Sequence, residues 1–166
     1  MPSALSNLSD TILDLALNSR TTPMIRKKAL ICLARMLKKD PERFDVKKMF
    51  VPLGEIFEGR HAGALSLVNG GASLLLTIMN QVNPDQLIDV QPKVVRFLHR
   101  LAINKECPSN YIYYHNPNPW LQMKLYKALQ LWSPPEDKSV LSIVSEIVTK
   151  VLKKTDASEV LNKNNI

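Results

Sequence analysis

With 166 residues, 45% of them hydrophobic and only five glycines, the chain can fold one domain around a real core and is neither disordered nor fibrous. No apolar run reaches the roughly 18 residues that would cross a bilayer, and residues 1–17 lack the basic start and continuous apolar core of a signal peptide. Its net charge is +7, and its two isolated cysteines, Cys32 and Cys107, are too few for a disulfide scaffold or a zinc site and fit a reducing, cytosolic setting.

The charge is concentrated. Residues 20–48 hold ten Lys/Arg against three acids, an excess of seven that equals the net charge of the whole chain. Such a patch suits lipid or nucleic-acid phosphates or an acidic protein, unless it is simply a solvated helix face.

The spacing predicts seven helices, near 5–18, 23–39, 46–58, 62–82, 85–102, 119–132 and 135–154. Five times a capping type of residue directly precedes proline: Thr22-Pro23, Asp40-Pro41, Asn83-Pro84, Asn118-Pro119 and Ser133-Pro134. Proline suits the first turn of a helix, where its missing N–H costs nothing, so these pairs mark helix starts or the turns before them. In the second helix Ile25, Ala29, Leu33, Met36 and Leu37 form the apolar stripe. On a wheel of 100° per residue, Lys27, Lys28, Arg35, Lys38 and Lys39 gather on the opposite side, interrupted only by Ile31. These five lysines and arginines are the candidate anionic-partner or membrane face.

In the third helix Val46, Met49, Phe50, Leu53, Ile56 and Phe57 form a stripe that Pro52 kinks or delays. Gly54 and Gly59-Arg60-His61 have the first spacing of a phosphate-binding loop but lack its Lys-Ser/Thr and a preceding strand. The fourth helix carries Gly70-Gly71, which costs about 1 kcal/mol per glycine relative to alanine, an expense that close helix packing explains. Residues 103–118 read as an enlarged loop in which Tyr113 and Tyr114 pin the chain against the helices. Next comes a helix with the stripe Leu121, Leu125, Ala128, Leu129 and Trp132, where Trp120 and Trp132 are placed to fill gaps between neighbouring repeats. Ser133-Pro134-Pro135-Glu136 has capping-box spacing and starts the last helix, whose stripe is Val140, Val144, Ile147 and Val151. Asp156 to Glu159 has the same spacing and reads as a further helix start.

No strand pattern occurs, so the fold class is all-α. The punctuation at Pro41, Pro84 and Pro134 recurs at intervals near those of HEAT and armadillo helix pairs, roughly 40–47 residues. The expectation is an α-solenoid of antiparallel pairs, with 1–166 one segment of a longer trunk and no internal domain boundary. No catalytic, cofactor-binding or metal-binding residue is identified. His61, His99 and His115 have no ligand spacing, and Cys107 near His115 in sequence makes no nucleophile–base pair.

On two stretches the chain resembles the alpha-adaptin family, large chains of the endocytic clathrin-adaptor complex. One is "YYHNPNPWLQMKLYKALQLWSPPED" (113–137): a tyrosine pair, a proline-tryptophan, a Leu/Lys-rich helix and a proline run with Glu-Asp. The other is "IRKKALICLARMLKKDPERF" (25–44), a basic helix before an acidic-proline turn. A weaker likeness in helix order runs from about residue 10 to 154. The glycines of "LVNGGASLLLTIMN" and the short linker before Asp156 depart from the family. The resemblance implies a non-enzymatic scaffold without cofactors, in the cytoplasm at the plasma membrane and clathrin-coated pits. Its implied partners are small sigma, medium mu and beta large chains, with clathrin and cargo reached indirectly; it carries no ligand residue onto a numbered position here. Two other readings stay open: a generic HEAT-type carrier such as a transport-receptor fragment, and a nucleic-acid-binding helical domain suggested only by the 20–48 charge.

Overall fold

A computed structural model describes residues 4–59 and 65–155, with side chains from 7 to 59 and from 65 to 153. His61 and the 156–159 helix start lie outside the described residues. The helices are α1 (Ala4–Leu17), α2 (Pro23–Lys39), α3 (Phe50–Glu58), α4 (Leu65–Met79), α5 (Gln91–Ala102), α6 (Pro119–Leu131) and α7 (Lys138–Thr155). Short 3-10 turns at Pro41–Arg43, Val46–Met49, Pro84–Val90 and Ser109–Tyr111 connect them. The fold is the expected all-α solenoid.

Two layers build it: α2, α4 and α6 neighbour one another in one, while α3, α5 and α7 neighbour one another in the other. Within the first layer the helices run parallel. Near its start, α2 brings the Lys27 carbonyl and Leu30 against Gly70, and beyond its far end Gln81 donates to the Leu37 carbonyl at 2.7 Å. Between layers the pairs are antiparallel: Arg26, early in α2, meets the last turn of α1. A Cβ on Gly71 would stand 3.1 Å from Ile56 Cγ2, so the glycine pair does permit the close approach of α4 to α2 and α3.

The apolar stripes supply the core. Leu33, Leu37, Met49, Leu53, Ile56, Phe57, Leu121, Leu125, Ala128, Val140 and Ile147 are buried, and each large side chain so placed contributes roughly 1.5–3 kcal/mol. Ile25 leaves its stripe and is 48% exposed, because Arg26 takes the buried position beside it.

Several boundaries differ from expectation for local reasons. Pro52 delays α3: a 3-10 turn covers 46–49, and the proline then sits in the first helical turn, where no N–H is missed. The helix expected over 85–102 divides. Leu87 leaves helical geometry (φ −102°, ψ 23°), and the α-helix begins at Gln91, with Pro92 in its first turn. Residues 112–117 form a two-residue hairpin, Ile112–Tyr113 antiparallel to Asn116–Pro117, so the strand-free expectation fails at one point. Its turn residues Tyr114 and His115 both take positive φ (45° and 63°), the sign a tight type I′ hairpin demands.

The two tryptophans part ways. Trp132 is buried and donates to the Pro84 carbonyl, at the turn that opens its own helix pair. Trp120 is 58% exposed and fills no gap; its ring lies 5.2 Å from Tyr113, which in turn meets Tyr114 edge-on at 4.6 Å. The loop tyrosines therefore pack on one another and on Trp120 outside the core, and Tyr114 is 82% exposed.

Candidate anionic-partner face

Charge divides by layer. Helices α2, α4 and α6 together carry eight Lys/Arg and no acidic residue, and α4 carries no charge of either sign. The other layer is mixed, with Glu55 and Glu58 in α3 and Glu146 in α7 among its basic residues, and α1 carries Asp10 and Asp14. Among the described residues the helices of the first layer thus carry no carboxylate within their spans, and Asp40 caps the end of α2.

On α2, Lys28, Arg35, Lys38 and Lys39 are exposed and Lys27 is half-buried, which places the five candidate residues on the solvent side of the helix. Eleven residues separate Lys27 from Lys38, about 16 Å along an α-helix. The five therefore form a face and not one compact site: a small ligand reaches one end or the other. Arg26 belongs to a different structure. It is 7% exposed; its Nε donates to the Ala16 carbonyl at 3.0 Å and its Nη2 to the Leu17 carbonyl at 3.4 Å. Burial lowers its pKa, against a smaller opposing effect from Glu55. Its charge satisfies carbonyls at the end of α1 and adds nothing to the face.

Two lysines that the linear charge count missed join this layer from α6. Lys124 donates to Asn69 Oδ1 (2.6 Å) and Ser73 Oγ (2.8 Å) on α4, and Lys127 is exposed one turn on. Together with Lys38 they line a groove of about 400 Å³ across the C-terminal halves of α2, α4 and α6. The signal was available: once alternate helices are assigned to one layer of the repeat, charge is counted by layer instead of by window.

Other concave or reactive features carry less. A larger groove of about 650 Å³ is lined by Lys93, Arg96, Arg100 and His99, but Glu58 and Glu106 line it too. Lys93 pairs with Glu58 at 3.0 Å, and His99 Nε2 lies 3.0 Å from Glu146 Oε2, so the groove mixes both signs of charge and one of its cations is already paired. Burial pushes the Cys107 thiol up, the opposite of what an activated nucleophile needs. Among the described residues no cluster of three or more His, Cys, Asp or Glu could hold a metal, and no helix is long and apolar enough to cross a membrane.

No family model matches the chain. It is 33% identical over 159 residues to the AP-2 complex subunits alpha-1 and alpha-2 of Arabidopsis thaliana, over 96% of this chain. It is 30% identical over 152 residues to the AP-2 complex subunit alpha-2 of Dictyostelium discoideum, over 92% of this chain. The chain spans 15% of the length of each of these relatives. Nearly the whole chain aligns with one stretch of these subunits, and its stacked helix pairs form the solenoid expected of an adaptin trunk. Over that stretch, the chain belongs to the alpha-adaptin family.

Proposed function

We propose that the chain is a non-enzymatic scaffold segment of a clathrin-adaptor large chain, acting in endocytic vesicle transport. The observation that carries this reading is the alignment of 96% of the chain with AP-2 alpha subunits, on a fold of stacked helix pairs. A solenoid presents extended surfaces to partner proteins, and the partners implied are the sigma, mu and beta chains, with clathrin and cargo reached through them. Its site of action is the cytoplasmic side of the plasma membrane, at coated pits. The test is co-expression with a sigma small chain followed by size-exclusion chromatography. A joint peak is expected; elution of the two chains separately at every concentration overturns the assignment of the small chain as a direct partner.

The face formed by Lys27, Lys28, Arg35, Lys38 and Lys39 serves, in this reading, to meet an anionic membrane. Its support is that α2, α4 and α6 carry no acidic residue within their spans. Basic residues near an anionic leaflet contribute about 1 kcal/mol each, and exposed charge is screened within about 8 Å at physiological salt. Vesicle co-sedimentation with and without anionic lipid, for the parent and for a variant with Lys27, Lys28, Lys38 and Lys39 changed to glutamine, decides it. Salt-sensitive binding that needs both anionic lipid and the lysines is expected. Equal sedimentation in all four conditions leaves the patch a solvated helix face.

A further inference from the structure

The groove between α2, α4 and α6 gathers Lys38, Lys124 and Lys127 with Ser73, Asn80 and Gln130, and no carboxylate lines it. Donor accounting shows what it offers. Ser73 Oγ already donates to the Asn69 carbonyl at 3.0 Å, and Thr77 Oγ1 to the Ser73 carbonyl at 2.9 Å. The hydroxyl protons are therefore spent within α4. An ammonium carries three protons, and Lys124 uses two of them on Asn69 and Ser73, which hold its head in place and leave one free. Neither Lys38 nor Lys127 forms an ion pair among the described residues, so both heads remain available. Asn80 and Gln130 are exposed and add neutral amide donors at the rim.

Helix ends work against an anion here, since α2, α4 and α6 all terminate near the groove. Each C-terminus is equivalent to roughly half a negative charge, so about −1.5 stands against three full positive charges. The lysines win. Lys38, in the last turn of α2, has a role in complementing that helix end. Lys124 and Lys127 lie in the middle of α6 and have no such role. Burial also lowers the pKa of Lys124, an expense that its two neutral partners do not offset and an anion would.

We propose that this groove binds a compact anion carrying two or more phosphate groups, free in solution or as a lipid head group. Lys38, Lys124 and Lys127 supply the charge, and Asn80 and Gln130 supply the remaining donors. The groove walls are helices whose backbone amides are committed to their own hydrogen bonds. An extended acidic peptide would find charges here but no main-chain partners, whereas a compact polyanion needs only the charges and the amide donors. The site rests on reading this layer as an anionic-partner face, and it narrows that face from a strip of α2 to one end of three helices.

The test is isothermal titration of the chain with tripolyphosphate, comparing the parent with K38Q/K127Q in the groove and K27Q/K28Q at the other end of α2. Lys38, Lys127 and Lys28 are exposed and Lys27 is half-buried, and unchanged circular dichroism confirms the fold of each variant. The expected result is saturable binding that K38Q/K127Q weakens by about tenfold or more and K27Q/K28Q changes by less than about twofold. No saturable binding, or equal loss in both variants, overturns the groove. A second arm uses vesicles of equal surface charge, made with phosphatidylserine or with a phosphatidylinositol bisphosphate. Preference for the latter, lost in K38Q/K127Q, assigns the ligand to a lipid head group. Tripolyphosphate binding without that preference assigns it to a soluble polyphosphate. Should the four-lysine variant lose vesicle binding while tripolyphosphate never binds, the face stands and the groove falls; association with a sigma chain depends on neither.

Discussion

Trp132 and Pro84 are joined by a hydrogen bond of 2.9 Å from the indole N–H to the proline carbonyl, across 48 residues of chain. The bond ties the end of α6 to the turn that opens the same helix pair, and the ring itself is buried. Trp132→Phe keeps most of the apolar contact and removes the donor, which costs about 1–3 kcal/mol for the stranded carbonyl. Trp132→Ala also opens a cavity and costs about 3–5 kcal/mol. Urea midpoints of the two variants should fall in that order.

Beside that bond, Ser133 holds Asp85 with its backbone N–H (3.0 Å) and its hydroxyl (2.7 Å), and these two donors, in that order, lower the Asp85 pKa. A carboxyl depressed in the folded state stabilises it fully above its unfolded pKa, near 3.9, and ceases to do so as pH falls through the lower folded value. The melting temperature of Asp85→Asn should therefore lie below that of the parent at about pH 6 and converge on it towards about pH 3. A gap that stays constant or widens in acid contradicts this.

Arg26 predicts a local effect. Removing its side chain in Arg26→Ala strands the Ala16 carbonyl and frees the end of α1, with a cost of about 1.5–3 kcal/mol for hydrogen bonds from a charged donor. Hydrogen exchange should quicken in α1 and the start of α2 and stay at parent rates in α5 to α7. Uniform acceleration throughout would mean that the pair α1–α2 is not a separable unit.

Gly71 offers a graded test. Alanine there gains about 1 kcal/mol in helix propensity but sets its Cβ 3.1 Å from Ile56 Cγ2, so the two effects nearly cancel and stability should change by less than about 1 kcal/mol. Gly71→Leu has no such offset and should lose about 1–3 kcal/mol or more from overpacking between α3 and α4. Thermal melts of the two variants separate close packing from simple tolerance.

Where the chain reads plainly, it does so through proline and apolar period. In the stripe of residues 121–132, Leu121, Leu125, Ala128 and Trp132 are buried and Leu129 is half-buried. Caps were less legible. Asn83 and Asn118 accept from Asp85 and Leu121 as their positions suggest, but Thr22 and Asp40 make no side-chain cap, and Asp40 faces Arg43 at 4.0 Å instead. The capping box at Ser133 fails because its hydroxyl is drawn to Asp85 in the previous repeat; Asp137 accepts from the Ser139 N–H at 2.8 Å and starts α7 in its place. A partner 48 residues away is invisible to a local motif. The candidate face followed the same rule. Its α2 residues share one helix and were found by angle, whereas Lys124 and Lys127 meet them only when three repeats are stacked.

The long-range side-chain hydrogen bonds, from Gln81 with Leu37 to Lys124 with Asn69, span 42 to 55 residues. That is one repeat's length, and none of these bonds reaches two repeats away. A chain wired only to its neighbours behaves as a spring: load applied at one end passes through each junction in series, and small rotations at successive junctions add up to a large bend. Short wiring also speeds folding, since no distant ends must find each other before contacts form. The Trp132–Pro84 and Ser133–Asp85 bonds share one such junction. Loosening it should leave the helices on either side folded and change the curvature between them, with the flexing confined to residues 83–91 and 131–138.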